Sequence, residues 1–162
     1  MIELKKITIL DDNMKECIAL DVAPEKKDYV WSNAIALAFA HRRYKRYSEA
    51  MECRAIYAED KMVGLISYNY YIEDSDFKEV CYRIRPVMID KNHLNKGYEE
   101  ASLRKLLEEI QTKPHGEATA VFASYNPKEE DMAKIYETVG FIKTDMTWQN
   151  PDDKDIIARM SL

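Results

Sequence analysis

The stretch that decides the fold runs from residue 87 to residue 101 and reads Val87-Met88-Ile89-Asp90-Lys91-Asn92-His93-Leu94-Asn95-Lys96-Gly97-Tyr98-Glu99-Glu100-Ala101. Its first residues are apolar, as at the end of a strand, and its last residues open a run with apolar positions at helical spacing. A short polar loop containing Gly97 lies between them. Free N–H groups at a helix start attract anions, and glycine lets the backbone approach a ligand closely. The stretch therefore predicts a strand, a loop and a helix whose start is suited to an anion.

Patterns on either side of this stretch predict the other elements. Strands are predicted near residues 4–10, 54–58, 63–71, 80–89, 119–125, 141–148 and 156–160, and helices over 13–20, 33–46, 95–111 and 127–139. Pro86 interrupts one strand, and such a proline usually marks an edge or a bulge. In the second helix Ile35, Leu37, Ala38 and Phe39 are predicted to pack inward. The order β-α-α-β-β-β-α-β-α-β-β predicts a mixed α+β fold in which the strands before and after the 95–111 helix are parallel.

Composition narrows the class of protein. The 162 residues are 46% hydrophobic and 33% charged, which predicts one soluble globular domain over residues 1–162. No apolar run approaches the roughly 20 residues that span a bilayer, and residues 1–6 lack a signal-peptide core, so we expect a cytoplasmic protein. Cys17, Cys53 and Cys81 are far apart and indicate buried thiols rather than a disulfide framework or a metal site. The net charge of −5 argues mildly against nucleic acid, and the basic cluster at residues 41–46 is typical of a solvated helix end.

Two segments carry a family resemblance. Met88-Ile89-Asp90-Lys91, Lys96-Gly97-Tyr98 and the apolar helix at residues 103–110 resemble the acetyl-CoA motif of the GNAT family of N-acetyltransferases. Ser124-Tyr125-Asn126, Ile135-Tyr136-Glu137 and Gly140-Phe141 resemble the second CoA-proximal motif of that family. The segment from residue 18 to residue 33 is similar to the N-terminal region of bacterial diamine (spermine/spermidine) acetyltransferases.

The resemblance implies the GNAT fold and its donor site. In this fold a central, mostly antiparallel mixed sheet is flanked by helices, and a parallel pair of strands splays apart to hold acetyl-CoA as co-substrate, without a metal. Here the pair would end near Ile89 and Ser124, with Pro86 at the bulge that opens the gap. The residues that the resemblance assigns to acetyl-CoA are Val87, Met88, Ile89, Asn95, Lys96, Gly97, Tyr98, Glu99, Glu100, Asn126 and Tyr136.

Two of these residues have named roles in the family pattern. Tyr136 would be catalytic and protonate the departing CoA thiolate, and Asn126 would anchor the pantetheine arm. Each has a structural alternative, since Tyr136 would also serve as a packed aromatic residue and Asn126 as a helix cap. His93 lies in the loop and resembles a base, but solvent exposure is the interpretation we favour.

The loop departs from the family pattern at two positions. The polar residue that opens it is replaced by Leu94, and the small residue that ends it by Glu99. A carboxylate here repels an anionic diphosphate, by roughly 1 kcal/mol at about 5 Å in water and several times that in a shielded site. Lys96 would offset part of this. The sequence therefore predicts weakened CoA binding.

The function that follows is transfer of an acetyl group from acetyl-CoA to a primary amine of a small molecule. Resemblance to diamine acetyltransferases implies a polyamine such as spermidine or spermine. Its cationic chain would meet acidic residues, for which the candidates are Glu25, Asp28 and Glu73, followed by Asp74 and Asp76. The alternative for each is an ordinary acidic turn. The alternative function is a non-catalytic binding or regulatory protein with this fold. We expect no nucleic acid or membrane partner, and a homodimer is compatible with the resemblance.

Overall fold

The structure is a computed structural model that describes residues 1–8, 13–27, 30, 32–46, 51–72, 76–149 and 154–162 of the chain. Its strands are β1 (Ile2–Lys6), β2 (Met51–Ala58), β3 (Lys61–Tyr71), β4 (Cys81–Ile84), β5 (Met88–Ile89), β6 (Ala120–Tyr125), β7 (Ile142–Gln149) and β8 (Lys154–Ser161). Its helices are α1 (Asn13–Ala19), α2 (Asn33–Arg46), α3 (Tyr98–Gln111) and α4 (Glu130–Thr138), with one 3-10 turn at Pro24–Lys26. Apart from the split of one predicted strand into β4 and β5, the order of helices and strands is the predicted one.

The strands form one sheet in the order β1-β2-β3-β4-β6-β8-β7, and β5 pairs with β3 beside β4. Neighbouring strands are antiparallel except for β4 and β6, which run parallel from the Cys81–Ala120 pair to the Ile84–Ala123 pair. A parallel pair needs a crossover connection, and α3 lies in the segment that joins β5 to β6. The predicted mixed α+β fold with one parallel pair is confirmed.

The two faces of the sheet support separate cores. Ile66 and Tyr68 of β3 pack in one cluster with Leu103 and Leu106 of α3. The adjacent residue Leu65 packs on the opposite face of the sheet, in a cluster with Cys17 of α1. Helix α2 lies on this same face. Side chains alternate across a strand, so this single strand supplies both cores.

A bulge separates β4 from β5. Tyr68 of β3 pairs with Ile84, whereas Leu65 pairs with Met88, so the two residues 66–67 face the three residues 85–87. An extra residue on one strand bends that strand and changes its direction. The bulge contains Pro86, as the sequence predicts.

Several predicted boundaries are wrong. The predicted 95–111 helix begins three residues later, at Tyr98, because Asn95 and Gly97 have left-handed backbones with φ of 60° and 73°. The predicted 127–139 helix begins at Glu130, after a turn in which the Glu129 N–H donates to the Asn126 carbonyl oxygen. The first strand ends at Lys6 rather than near residue 10, and residues 9–10 lie outside the described residues.

Helix α2 does not bury the face that its sequence predicts. Ile35 is 47% exposed and Phe39 is 37% exposed, while Leu37 is half-buried against the α1 side of the sheet. The small residues Ala36 and Ala40 pack against the same cluster as Leu37. In the described part of the chain no helix is both long and apolar enough to cross a membrane.

Candidate functional site

The parallel strands separate just beyond the bulge. The last parallel pair is Ile84 with Ala123, after which Ser124 pairs with Ile157 of β8. On the other side Met88 and Ile89 pair with β3, and among the described strands no pairing joins β5 to β6. Their facing edges therefore leave backbone N–H and C=O groups for a ligand that lies between them. The sequence places the splayed strands near Ile89 and Ser124, and the structure separates them there.

The loop after β5 is held by one carboxylate. Asp90 is buried and accepts hydrogen bonds from the Asp21 N–H at 2.9 Å and from the N–H and side chain of Asn92 at 3.0 and 2.9 Å. Burial by itself would raise the pKa of Asp90, but these hydrogen bonds outweigh it and hold the pKa below its ordinary value. Asp90 thereby fixes the path of the chain between β5 and α3. The neighbouring Leu94 packs against the core on the α3 side instead of facing solvent.

Glu99 is enclosed at the start of α3. No side chain caps this helix, and Gly97 precedes it in the left-handed conformation. The Glu99 side chain is only 12% exposed, and its Oε1 lies 4.0 Å from Nζ of Lys26 in the 3-10 turn. A carboxylate is favoured beside the free N–H groups of a helix start. Lys96, the cation that the sequence suggests, is exposed, with its Nζ 6.0 Å from the Tyr98 ring. The lysine nearest Glu99 is therefore Lys26.

A second carboxylate lies at the start of α4. Glu129 is half-buried and accepts a hydrogen bond from the Asn126 N–H at 3.4 Å. The side chain of Asn126 accepts one from the Lys128 N–H at 3.0 Å, so Asn126 shapes the turn that leads into the helix. Burial raises the pKa of Glu129, while the Asn126 N–H and the charge of Lys26 oppose the rise. Lys26 thus acts on carboxylates at the starts of both α3 and α4.

Glu129→Gln is expected to raise the melting temperature at pH 7, and the gain is expected to shrink at pH 4. A carboxyl whose pKa is higher in the folded state binds its proton more tightly when folded. The stability that this carboxyl contributes is therefore full at low pH. It is lost as the pH rises from the pKa of the unfolded state, near 4.3, through the higher pKa of the folded state. Thermal unfolding across this range measures the effect. Glu130→Gln, an exposed neighbour, is the control, and equal gains at both pH values would contradict the prediction.

Tyr136 of α4 has a buried hydroxyl without a hydrogen bond. The residue is 1% exposed, and its Oη has no donor or acceptor partner among the described residues. Its ring lies 5.8 Å from that of Tyr125 and 5.4 Å from that of Phe141. Burial raises its pKa, with a further contribution from the charge of Glu129, so the hydroxyl stays protonated at neutral pH. A buried polar group without a partner costs about 1–3 kcal/mol, which suggests a hydroxyl kept for a ligand.

A cavity of about 270 Å³ lies on the opposite face of the sheet from α3. It reaches both sides of the gap, since Met88 of β5 and Ser124 of β6 line it. Its polar wall also contains Arg83 and Arg85 from β4 and its bulge, and Asp155 from β8.

The arginines of this wall are held in defined positions. The Arg83 guanidinium lies 3.9 Å from the centre of the Trp148 ring, and its Nη2 donates to the Ser124 hydroxyl at 3.3 Å. The Arg85 Nε donates to the Asn69 side-chain oxygen at 3.0 Å. Sequence reasoning missed both arginines. The signal was the alternation of Arg83 and Arg85 with Tyr82 and Ile84 immediately before Pro86, a pattern that predicts two arginines on one face of an extended segment.

The predicted acceptor residues are not brought together by the structure. Glu25 is exposed on the 3-10 turn and Asp76 is exposed after β3. Asp28, Glu73 and Asp74 lie outside the described residues. His93 is half-buried rather than fully exposed, and its N–H donates to the Asp90 carbonyl oxygen. Within the described ranges no group of three or more His, Cys, Asp or Glu side chains is arranged to hold a metal ion.

No family model matches the sequence, and no curated protein matches it. Solved structures do match. Over 99% of this chain and 95% of the other, the fold matches the aminoglycoside acetyltransferase AAC(6')-Ib in complex with coenzyme A, at 14% identity and a TM-score of 0.73. The chain has the GNAT fold. A GNAT acetyltransferase from Bacillus cereus matches 99% of this chain over 97% of its own, at 19% identity and a TM-score of 0.67. A Bacillus subtilis acetyltransferase in complex with CoA also matches 99% of this chain over 97% of its own, at 14% identity and a TM-score of 0.62.

Within this GNAT fold the donor-side residues inferred from the sequence lie along one path. Val87, Met88 and Ile89 are buried beside the gap, and the chain continues through the loop to residues 95–100 at the start of α3. Asn126 follows β6 on the other side of the gap, and Tyr136 lies on the helix after it. Their assignment to acetyl-CoA stays a prediction.

Proposed function

We propose that this protein transfers an acetyl group from acetyl-CoA to a primary amine of a small molecule. The observation that carries the proposal is the gap between β5 and β6, together with a protonated, buried Tyr136 hydroxyl that has no hydrogen bond in the described structure. The shared fold supports it, since AAC(6')-Ib and the Bacillus subtilis acetyltransferase were solved with CoA. A cytoplasmic location and a homodimer stay predictions from the sequence.

The residues fit one part of acetyl-CoA better than the other. The facing edges of β5 and β6 offer backbone groups to the amides of the pantetheine arm. At the start of α3 the left-handed Gly97 and the free N–H groups suit a diphosphate, but Glu99 places a carboxylate in the same region. Lys26 neutralises part of that charge. We therefore propose a site that is complete for pantetheine and weakened for the diphosphate.

In the proposed reaction acetyl-CoA supplies the thioester. The backbone of Met88 and Ile89 would orient it and polarise its carbonyl group, and the Tyr136 hydroxyl would donate a proton to the thiolate that departs. A tyrosine hydroxyl is protonated near neutral pH, and burial, which raises the pKa of Tyr136, does not change this. Since the attacking amine must be neutral, the wall of the cavity also has to favour loss of its proton.

The polyamine suggested by the sequence receives little support from the described residues. A long cationic chain would require several carboxylates around the cavity, whereas Asp155 is the one acidic residue among those that line it in the described part of the chain. Glu25 and Asp76, the predicted acceptor residues that the structure describes, are exposed and are not among the residues that line the cavity.

A thermal shift with acetyl-CoA tests the proposed function. A ligand that binds only the folded protein stabilises it by RT ln(1 + [L]/Kd), so the melting temperature rises with the ligand concentration. Stabilisation by acetyl-CoA, followed by release of free thiol when an amine is added, is the expected result. If millimolar acetyl-CoA leaves the melting temperature unchanged, the enzyme proposal fails and the non-catalytic alternative, which the enclosed Glu99 favours, takes its place.

Glu99→Gln is expected to tighten acetyl-CoA binding about ten-fold. The substitution keeps the size of the side chain and removes its charge, so the repulsion between two anions in a partly shielded site disappears. Isothermal titration of both proteins with acetyl-CoA measures the change. Glu108→Gln, on the same helix with a side chain 63% exposed, is the control and is expected to leave the Kd unchanged. An unchanged Kd for Glu99→Gln would show that Lys26 already neutralises this carboxylate.

A further inference from the structure

A buried amide oxygen at the wall of the cavity has no hydrogen bond among the described residues. It is Oδ1 of Asn33, the first residue of α2, which lines the cavity and is 1% exposed. Resting on the proposed acetyl transfer, we propose that this oxygen accepts a hydrogen bond from the N–H of the amine that is acetylated. Asn33 is thereby a binding residue of the acceptor.

The orientation of the Asn33 amide is fixed by its nitrogen. Nδ2 donates to the Cys17 carbonyl oxygen at 2.8 Å, and since a carbonyl oxygen only accepts, the nitrogen must be the end that faces it. Cys17 is fully buried in α1 and is not one of the described residues that line the cavity. With the nitrogen turned towards α1, Oδ1 is the polar end that Asn33 offers to a ligand.

The chemistry of this oxygen selects its partner. Buried polar atoms in proteins are nearly always hydrogen-bonded, so an acceptor left over at a cavity wall is completed by water or by a ligand. An amide oxygen has no proton to give, so the partner must be a donor, and the N–H of an amine is one. Because the amide is neutral, it favours the ammonium form of the amine less than a carboxylate does. This suits an amine that must lose its charge to attack.

Asn33 lies on the side of the cavity where the proposed reaction takes place. The chain just after α1 is tied to the loop after β5, since the Asp21 N–H donates to the Asp90 carboxylate at 2.9 Å. Cys17 of α1, to which Asn33 is bonded, packs in one cluster with Met88 of β5. Met88 also lines the cavity, and its backbone is the group proposed to orient the thioester. An amine bound to Asn33 is therefore held towards the thioester.

The hydrogen bond persists through the proposed reaction. The amine nitrogen forms a C–N bond with the acetyl carbon while the C–S bond breaks. One N–H proton leaves the nitrogen for solvent, the thiolate takes a proton from Tyr136, and solvent returns a proton to Tyr136. A primary amine keeps its second N–H on Asn33 while the nitrogen gains positive charge. Since a hydrogen bond strengthens when its donor becomes charged, the interaction favours the transition state over the free amine.

Two substitutions at Asn33 separate binding of the amine from support of the fold. Asn33→Ala and Asn33→Asp both lose the bond to the Cys17 carbonyl oxygen, but only Asn33→Asp keeps an oxygen at the position of Oδ1. A purely structural role predicts that Asn33→Asp is as impaired as Asn33→Ala, or more so, because a carboxylate repels that carbonyl oxygen. The proposed role predicts that Asn33→Asp is the more active of the two.

Thiol release from acetyl-CoA is measured with a panel of benzylamine, n-butylamine, ethanolamine, kanamycin and spermidine. Each variant is assayed at its own pH optimum, because a carboxylate raises the pKa of a bound amine. With the best amine, Asn33→Ala is expected to lower kcat/KM about ten-fold or more, the effect of one lost hydrogen bond, and Asn33→Asp to recover most of it. The control is Ser32→Ala, which removes the hydroxyl that accepts from the Ile35 N–H at the same helix start and leaves Oδ1 in place.

A spectroscopic titration tests the same bond in the natural protein. A hydrogen bond to Oδ1 changes the ¹³C resonance of the side-chain carbonyl, which can be followed in protein labelled at asparagine. Adding each amine of the panel, with and without CoA, is expected to shift the Asn33 resonance. Asn13 is the internal control, because its amide already accepts from the Thr8 N–H and donates to the Lys6 carbonyl oxygen.

The outcomes distinguish this proposal from the proposed function. If acetyl-CoA stabilises the protein and an amine reacts, but Asn33→Ala is as active as the natural protein or Asn33→Asp no more active than Asn33→Ala, acetyl transfer stands and the role of Asn33 is overturned. If acetyl-CoA neither stabilises the protein nor loses its acetyl group, the proposed function fails. Where no amine reacts, or the variants do not fold, the titration decides. A shift of the Asn33 resonance supports the amine site, and an unchanged resonance leaves this oxygen to water and overturns the proposal.

Discussion

Tyr136→Phe is expected to lower kcat by about a hundred-fold or more, the lower end of what one positioned acid contributes. The substitution removes only the hydroxyl group. Burial raises the pKa of this hydroxyl, so it is protonated at the pH of the assay. Steady-state kinetics with saturating acetyl-CoA and the best amine of the panel would measure the loss. KM is expected to change little, because the hydroxyl acts on the departing thiolate rather than on the bound substrates.

The same variant is expected to be as stable as the natural protein or more stable. The hydroxyl has no hydrogen bond among the described residues, so its removal breaks none and relieves the cost of burying it. Tyr125→Phe is the matched control, since Tyr125 is a buried tyrosine whose ring lies 5.8 Å away. Equal kcat in Tyr136→Phe and the natural protein would leave Tyr136 as a packing residue only. Loss of both activity and stability would also contradict the role proposed for its hydroxyl.

Gly64→Ala is expected to destabilise the protein by about 3 kcal/mol or more, at the upper end of overpacking effects. A Cβ at this position would lie 2.1 Å from the Met88 carbonyl oxygen and 2.9 Å from Cδ1 of Ile89. Met88 belongs to the strand that β3 pairs with just after the bulge, and a backbone atom there has no rotamer by which to move away. Relief of the clash therefore requires β5 to shift, which also alters the gap beside β6.

Chemical denaturation measures the loss of stability, and the acetyl-CoA thermal shift measures the effect on the gap. For the denaturation measurement Gly97→Ala is the control, because a Cβ there meets nothing within 4 Å and the cost to stability is limited to the left-handed backbone, φ 73°. That cost is about 1–2 kcal/mol. If Gly64→Ala were no more destabilising than Gly97→Ala, the close approach of β3 to β5 would not constrain this position.

Features that depend on residues close together in the chain were predictable from the sequence. Tyr98–Gln111 and Ala120–Tyr125 were predictable because apolar spacing reports the period of a helix or a strand directly. Pro86 predicted a bulge because proline cannot continue a strand ladder. The start of α3 was placed three residues early because the left-handed backbone of Asn95 leaves no trace in apolar periodicity.

Burial against a second element could not be predicted in the same way. The apolar pattern of α2 suggested that Ile35 and Phe39 face the core, yet both are exposed. The sequence suggested that Lys96 offsets the charge of Glu99, whereas the lysine whose Nζ lies 4.0 Å from the Glu99 carboxylate is Lys26, 73 positions earlier. No local rule couples two residues at this separation.

The sequence by itself determined the order of helices and strands, the parallel crossover through α3, the position of the bulge and the resemblance that suggested acetyl-CoA. Each of these depends on residues within one or two neighbouring elements. The tertiary structure alone decided that the Tyr136 hydroxyl has no hydrogen-bond partner among the described residues, and that Arg83, Trp148 and Asp155 line one cavity. These residues come from β4, β7 and β8, and their meeting depends on the register of a whole sheet, which is fixed by packing on both of its faces.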